Sequence, residues 1–139
     1  MTAFVLDASV SLSWYFEDEV SDEADHLLSR LEAETAAVPQ IWPLEVANGF
    51  AMAERRGRLS KGRSIECIAQ LEALAISIDD ETASRAFNRV LELARDERLS
   101  TYDAAYLELA MRLGVPLASK DGPLCDAAER VGVGVIRVA

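Results

Sequence analysis

The chain has 139 residues, half of them apolar, and a formal net charge of −10 from 24 acidic and 14 basic side chains. This length suits one domain, residues 1–139, with a continuous core, and the apolar content excludes a disordered chain. No apolar run reaches the ~20 residues that cross a bilayer, and no basic-then-apolar leader precedes the first apolar run. We therefore expect a soluble, cytoplasmic protein without membrane contact. The acidic balance argues against a general nucleic-acid binder, because affinity for polyphosphates comes mainly from Lys and Arg.

Along the first half of the chain, short apolar runs alternate with helical patterns. Strands are predicted over residues 3–6 and 36–38, with a short helix near residues 10–16. Ser21 suits the N-cap of the next helix. That helix has an apolar stripe at i, i+3, i+4 and i+7 spacing, formed by Ala24, Leu27, Leu28 and Leu31. Pro43 suits the first position of a further helix that runs to about residue 56.

The second half continues the alternation. A helix from residue 60 is predicted to turn Ile65, Ile68 and Leu71 toward the core. The clearest helical stripe, capped by one of two preceding aspartates, consists of Ala83, Ala86, Phe87, Val90, Leu91 and Ala94. Two more helices are predicted, from residue 100 or 101 to 113 and over 124–131, and three more strands, over 76–78, 115–119 and 133–138. Strands separated by helices imply an α/β fold, a three-layer α/β/α sandwich around a parallel sheet of four or five strands.

Four acidic residues fall at the ends of strands or the beginnings of helices: Asp7, Glu45, Asp103 and Asp121. A parallel sheet brings the carboxyl ends of its strands, and the starts of the following helices, to one edge. Four carboxylates would then converge, although like charges held close repel and raise each other's pKa. A hard divalent cation bound by oxygen ligands removes that penalty. The sequence therefore predicts a metal site.

Each of these acids also has a local explanation. Asp7 suits a turn or an N-cap, and Glu45 suits the positive end of a helix. Asp103 follows Ser100 at capping-box spacing, and Asp121 precedes a Gly-Pro turn. The case for function is joint, since all four fall on the side that the topology makes a ligand crevice.

Five basic residues lie close together without an acid among them: Arg55, Arg56, Arg58, Lys61 and Arg63. One interpretation is a solvated helix end, because cations favour a helix C-terminus. The other is a patch that contacts phosphates. The only histidine, His26, has no nucleophile motif nearby, which argues against a histidine-dependent triad.

The chain resembles PIN-domain ribonucleases, and most of all the VapC-like toxins of toxin–antitoxin pairs. The resemblance is carried by four segments: Val5-Leu6-Asp7-Ala8-Ser9, Glu45 after the second strand, Ser100-Thr101-Tyr102-Asp103-Ala104 and Leu117-Ala118-Ser119-Lys120-Asp121. It implies a PIN-like sheet, an endoribonuclease that depends on Mg²⁺ or Mn²⁺, a homodimer, and a cognate antitoxin that blocks the site.

The resemblance also implies roles for individual residues. Asp7, Asp103 and Asp121 would hold the metal, with Glu45 helping, and Glu45 or Asp103 would orient or deprotonate a water. Auxiliary hydroxyls map to Ser9 and Thr101. In this light the basic cluster becomes a more credible contact for the RNA backbone.

Two other functions stay open. A phosphoacceptor signalling domain would use Lys120 beside an acidic strand edge, but Asp7 has no acidic neighbour and two of the four acids would be unexplained. A catalytically idle PIN-like binding module would keep the fold without the chemistry.

Overall fold

A computed structural model describes all 139 residues and contains the five strands that the sequence predicts. The strands are β1 (Thr2–Leu6), β2 (Thr35–Val38), β3 (Ile76–Ile78), β4 (Leu117–Ser119) and β5 (Val135–Arg137). The helices are α1 (Ala8–Ser13), α2 (Asp22–Arg30), α3 (Trp42–Arg55), α4 (Lys61–Glu72), α5 (Thr82–Arg85), α6 (Leu91–Glu97), α7 (Thr101–Leu113) and α8 (Gly122–Arg130). A 3₁₀ turn spans Glu17–Glu19, and a π-helical segment, Ala86–Val90, joins α5 to α6.

The strands form one parallel sheet in the order β3-β2-β1-β4-β5. Phe4, Val5 and Leu6 follow one another in β1, and all three are fully buried. Successive residues of a strand point to opposite faces, so helices must cover both faces of the sheet. The predicted α/β/α sandwich is confirmed. The strand order reverses between β1 and β4, and this topological switch point is where open α/β sheets place their ligands.

Serine caps fix the beginnings of three helices. The hydroxyls of Ser21, Ser60 and Ser100 each accept a hydrogen bond of 3.1 Å from the backbone N–H three residues later. The end of α7 is set by Gly114, whose φ of 67° is a left-handed conformation that a side chain would disfavour. The sequence prediction of both boundaries of α7 is therefore confirmed.

The core is one apolar cluster that draws on all five strands or their flanks and on most helices. Cys67 and Cys125 are buried free thiols. No helix combines the length and the apolar character that a membrane span requires.

The predicted inward face of α4 is partly wrong. Ile65 and Ile68 are 59% and 37% exposed, whereas the buried residues are Ser64, Cys67 and Leu71. Both sets have helical spacing, and they overlap on the same helix. The prediction followed the spacing of the apolar side chains and therefore selected the isoleucines. The folded helix instead turns the smaller side chains of Ser64 and Cys67 against the core.

The stripe predicted between residues 83 and 94 is also partly wrong, because Phe87 is 93% exposed. The π-helical segment Ala86–Val90 interrupts the helix here. A π turn holds one residue more than an α turn, so the apolar face before it is out of phase with the face after it. Val90 and Ala94 of the predicted stripe are buried, as expected, and Leu93 joins them in the core.

Candidate metal centre

Asp7 lies at the carboxyl end of β1, beside the switch point of the sheet. Its backbone N–H donates to the Ala118 carbonyl at 3.0 Å, which continues the pairing of β1 with β4. The side chain is only 6% exposed, and its Oδ2 accepts hydrogen bonds from Ser9 Oγ at 2.8 Å and Ser119 Oγ at 2.6 Å. Asp7 precedes α1, yet its carboxylate makes no capping hydrogen bond. The helix-cap explanation of Asp7 therefore does not account for its side chain.

The two serines tie the end of β1 to the end of β4. Ser9 Oγ accepts from the Lys120 backbone N–H at 3.2 Å, and Ser119 Oγ accepts from the Asp121 backbone N–H at 3.0 Å. Each hydroxyl thus donates to Asp7 and accepts from a backbone N–H of the segment that follows β4. Asp121 also occupies an N-cap position, that of α8, without a side-chain capping bond.

Glu45 reaches the same region from the first turn of α3. Its Oε1 accepts a hydrogen bond of 2.6 Å from the hydroxyl of Tyr106, a fully buried residue of α7. This bond crosses between two helices that are distant in sequence and fixes one carboxylate oxygen. Sequence reasoning missed Tyr106. The available signal was its position three residues after Asp103, on the same face of a helix.

Asp103 lies in the first turn of α7, and its backbone N–H donates a hydrogen bond to Ser100 Oγ. Burial raises the pKa of Asp103 to about 6, with further contributions from Asp121, Asp7 and Glu45. Burial likewise raises the pKa of Asp7, against the hydrogen bonds from Ser119 and Ser9, and Asp121 adds to that rise. Burial and then Asp7 raise the pKa of Glu45, against the Tyr106 hydrogen bond. The structure therefore brings the four predicted carboxylates into one electrostatic neighbourhood.

The donor chemistry of this neighbourhood fits a hard divalent cation. All four side chains offer carboxylate oxygens, the ligands that Mg²⁺ and Mn²⁺ prefer. No three of them lie within 4.8 Å of one another, a spacing met only by Asp79, Asp80 and Glu81. Mg²⁺ keeps several of its waters and binds through few carboxylates, so contacts through water suit the wider spacing.

The compact acidic group at residues 79–81 has a different explanation. Arg112 makes a 2.8 Å ion pair with Asp79 and a 3.2 Å ion pair with Glu81. Arg85 adds a pair with Glu81 at 2.9 Å, and Asp80 is exposed. A guanidinium already balances these acids, and the group lies at the end of the edge strand β3 rather than at the switch point.

The predicted auxiliary and basic residues differ in whether they contact the carboxylates or form ion pairs. Ser9 contacts Asp7, whereas Thr101 is exposed at the first position of α7. In the basic cluster, Arg58 pairs with Asp18 and Glu19, and Arg63 pairs with Glu66. The other three members, Arg55, Arg56 and Lys61, make no ion pair.

The basic cluster begins at the end of α3 opposite to Glu45. Ten residues of helix separate Glu45 from Arg55, or about 15 Å along the axis. The cluster is nevertheless connected to the carboxylates, since Glu19 pairs both with Arg58 and with Lys120, the residue before Asp121. Sequence reasoning missed this connection.

A parallel sheet with acidic side chains at its switch point defines an α/β protein with a candidate metal centre. Residues 4–130 match the family model of the PIN domain, and the chain belongs to this family.

Several known proteins are similar over most of the chain. Ribonuclease VapC3 of Pyrobaculum aerophilum is 26% identical over 122 residues, which cover 88% of this chain and 92% of the relative. The crystal structure of PAE2754 from Pyrobaculum aerophilum aligns with a TM-score of 0.71 at 18% identity, covering 97% of this chain and 90% of that one. FitAcB from Neisseria gonorrhoeae aligns with a TM-score of 0.64 at 18% identity, covering 95% of each chain. These structural likenesses support the fold.

Proposed function

We propose that the chain is a metal-dependent endoribonuclease and the toxin of a toxin–antitoxin pair. The observation that carries the proposal is the convergence of Asp7, Glu45, Asp103 and Asp121 at the switch point of a PIN-family sheet. The similarity to a ribonuclease along nearly the whole chain supports RNA as the substrate. The proposal treats residues 1–139 as one PIN domain that acts in the cytoplasm.

Asp7, Asp103 and Asp121 would hold Mg²⁺ or Mn²⁺, directly or through water. The chemistry that such an ion supplies is positive charge at the scissile phosphate and a lower pKa for a bound water. Ser9 and Ser119 both donate to Oδ2 of Asp7, so they fix the orientation of this carboxylate. Neither hydroxyl bonds Oδ1.

Glu45 is the residue that we assign to the attacking water. The Tyr106 hydroxyl holds Oε1 in place, and Oε2 is left to accept a proton from water. Burial raises the pKa of Glu45, which makes the carboxylate a better proton acceptor. As the water oxygen bonds to phosphorus, its proton passes to Glu45 and the P–O bond to the leaving ribose oxygen breaks. That oxygen keeps the electron pair of the broken bond and takes up a proton from solvent.

The proposal includes two protein partners. The resemblance to VapC-like toxins supports a cognate antitoxin that blocks the site. A homodimer is supported by large apolar side chains that the monomer leaves exposed, among them Leu44, Ile78 and Phe87. The signalling alternative receives no support, because the Lys120 ammonium pairs with Glu19 rather than with the four carboxylates.

The test is cleavage of total RNA from the source organism by purified protein, with Mn²⁺ or with EDTA. Wild type should give discrete fragments only with Mn²⁺, and Asp7→Asn should give none. The matched control is Asp25→Asn, which changes an exposed aspartate of α2 and should cleave as wild type does.

Two results would contradict the proposal. Intact RNA with wild-type protein that binds Mn²⁺ normally would indicate an idle PIN-like module. Absence of Mn²⁺ binding altogether would overturn the assignment of the four carboxylates.

A further inference from the structure

We propose that Lys120 and Arg58 form a phosphate-binding subsite beside the carboxylates, and that Glu19 occupies this subsite in the free protein. The inference rests on the proposed function, since the phosphate is that of an RNA backbone. Glu19 thus acts as an internal stand-in that RNA must displace.

One carboxylate bridges two cations from different parts of the chain. Glu19 Oε1 lies 3.2 Å from Lys120 Nζ, and Glu19 Oε2 lies 3.4 Å from a terminal guanidinium nitrogen of Arg58. Glu19 belongs to the 3₁₀ turn, Lys120 follows β4, and Arg58 lies between α3 and α4. An anion with two outer oxygens therefore already fits between these cations. A phosphodiester presents two such oxygens, and Lys and Arg are the side chains that bind it.

The subsite adjoins the metal centre through a short series of contacts. Lys120 directly precedes Asp121, and its backbone N–H donates to Ser9 Oγ, which donates to Asp7. On the other side, the Arg58 guanidinium lies 4.6 Å from the centre of the buried Phe16 ring. The ring supports the guanidinium in a fixed position. A phosphate bound here would therefore lie next to the four carboxylates, where the proposed cleavage of RNA takes place.

The ion pairs of Glu19 are weak enough to be exchanged. All three side chains are partly exposed, and exposed ion pairs contribute little to stability. RNA can thus displace Glu19, but at some loss of affinity. Glu19 must therefore leave Lys120 and Arg58 before a phosphate can bind between them.

The experiment compares Glu19→Gln with Glu17→Gln, which removes the same charge from the same turn at an exposed residue without an ion pair. Binding of a labelled single-stranded RNA is followed by fluorescence anisotropy in Ca²⁺, with intact RNA verified on a gel. Glu19→Gln should lower Kd by about threefold to tenfold, because Lys120 becomes free and Arg58 keeps only its pair with Asp18, whereas Glu17→Gln should change Kd by less than about twofold. The log K against log salt slope should steepen by about one in Glu19→Gln only.

Further variants keep the test decisive if Glu19→Gln alters the fold. Lys120→Gln and Arg58→Gln should weaken RNA binding, whereas Arg130→Gln, which removes an exposed guanidinium paired with Glu97 at the last residue of α8, should not. Equal Kd values for Glu19→Gln and Glu17→Gln, or wild-type affinity in Lys120→Gln and Arg58→Gln, would overturn the subsite. Failure of wild type to bind or cleave RNA would instead overturn the proposed function.

Discussion

Asp103 carries part of the electrostatic cost of bringing four carboxylates together. Its pKa of about 6 in the folded chain compares with an ordinary value of 3.8. The folded state therefore binds a proton more tightly than the unfolded state does. Stability from this group is fully present below pH 3.8 and is lost as the pH rises through about 6. At neutral pH, the charged form of Asp103 destabilises the metal-free protein.

Asp103→Asn should therefore stabilise the metal-free protein at pH 7.5. After a discount for solvent screening, the rise from 3.8 to about 6 corresponds to a gain of ~1 kcal/mol in the free energy of unfolding. The gain should shrink as the pH falls through 6 and vanish near pH 4. Urea unfolding in EDTA at several pH values measures it.

Asp25→Asn is the matched control, because Asp25 also lies in the first turn of a helix but is exposed to solvent, as are its acidic neighbours Asp22 and Glu23. It should lower stability by a few tenths of a kcal/mol, since an acid favours that end of a helix. Equal effects of the two substitutions would show that Asp103 is only a first-turn acid.

At this scale the sequence predicted residue types better than residue contacts. Asp7, Glu45, Asp103 and Asp121 could be chosen because strand ends and helix starts are readable in a parallel α/β pattern. The hydrogen bond from the Tyr106 hydroxyl to Glu45 could not be predicted in this way. Nor could the bridge that Glu19 forms between Lys120 and Arg58. Each depends on how α3, α7 and the 3₁₀ turn pack, which no local pattern encodes.

Among the elements, α7 contributes most to the site. Its first turn presents Asp103, and one turn later Tyr106 holds Glu45. Ser100 fixes where this helix begins by accepting the Asp103 N–H at 3.1 Å. An N-cap normally contributes only stability, but here it also sets the position of a carboxylate.

Ser100→Ala should therefore affect both folding and metal binding. Loss of the cap should cost about 1 kcal/mol of stability. Mn²⁺ affinity, measured by calorimetry, should fall at the same time, because the first turn of α7 frays. Ser21→Ala removes an equivalent 3.1 Å cap from α2 and should cost similar stability with unchanged Mn²⁺ affinity. A loss of stability without a loss of Mn²⁺ affinity in Ser100→Ala would contradict this role.

Elements were predictable in number and order, while helix orientation was less so. All five strands and the serine caps follow from short-range patterns. The inward faces of α4 and of the helix around Phe87 did not follow, for two different reasons. In α4 two overlapping stripes compete, and around Phe87 a π turn shifts the phase of the helix.

For the whole molecule, a net charge of −10 opposes the binding of RNA. A cation at the four carboxylates would remove the local repulsion, and the free basic residues Arg55, Arg56 and Lys61 would add attraction. RNA binding and metal binding should therefore be coupled in this protein. Neither RNA nor the metal explains one further surface of the protein, which is apolar.

That apolar surface lies around the junction of β3, α3 and α5. Gln40 joins the loop before α3 to the beginning of α5, donating its N–H to Thr82 Oγ1 at 2.9 Å and accepting from the Ala83 N–H at 3.0 Å. Leu44 follows Gln40 by one turn, and Phe87 follows Ala83 by one turn. Both side chains are exposed in the monomer, as is expected of apolar residues that a second copy of the chain covers in an oligomer.

Phe87→Asp should convert the proposed homodimer to monomers, because a charge in an apolar interface is desolvated without a partner. Sedimentation velocity over a range of protein concentrations measures the change. Val20→Asp is the matched control, since Val20 is an exposed apolar residue beside the 3₁₀ turn, away from this junction. It should leave the dimer intact, and far-UV circular dichroism should show that both variants are folded. A wild-type protein that sediments as a monomer at every concentration would remove the dimer from the proposal, while the carboxylate site, built within one chain, would stand unchanged.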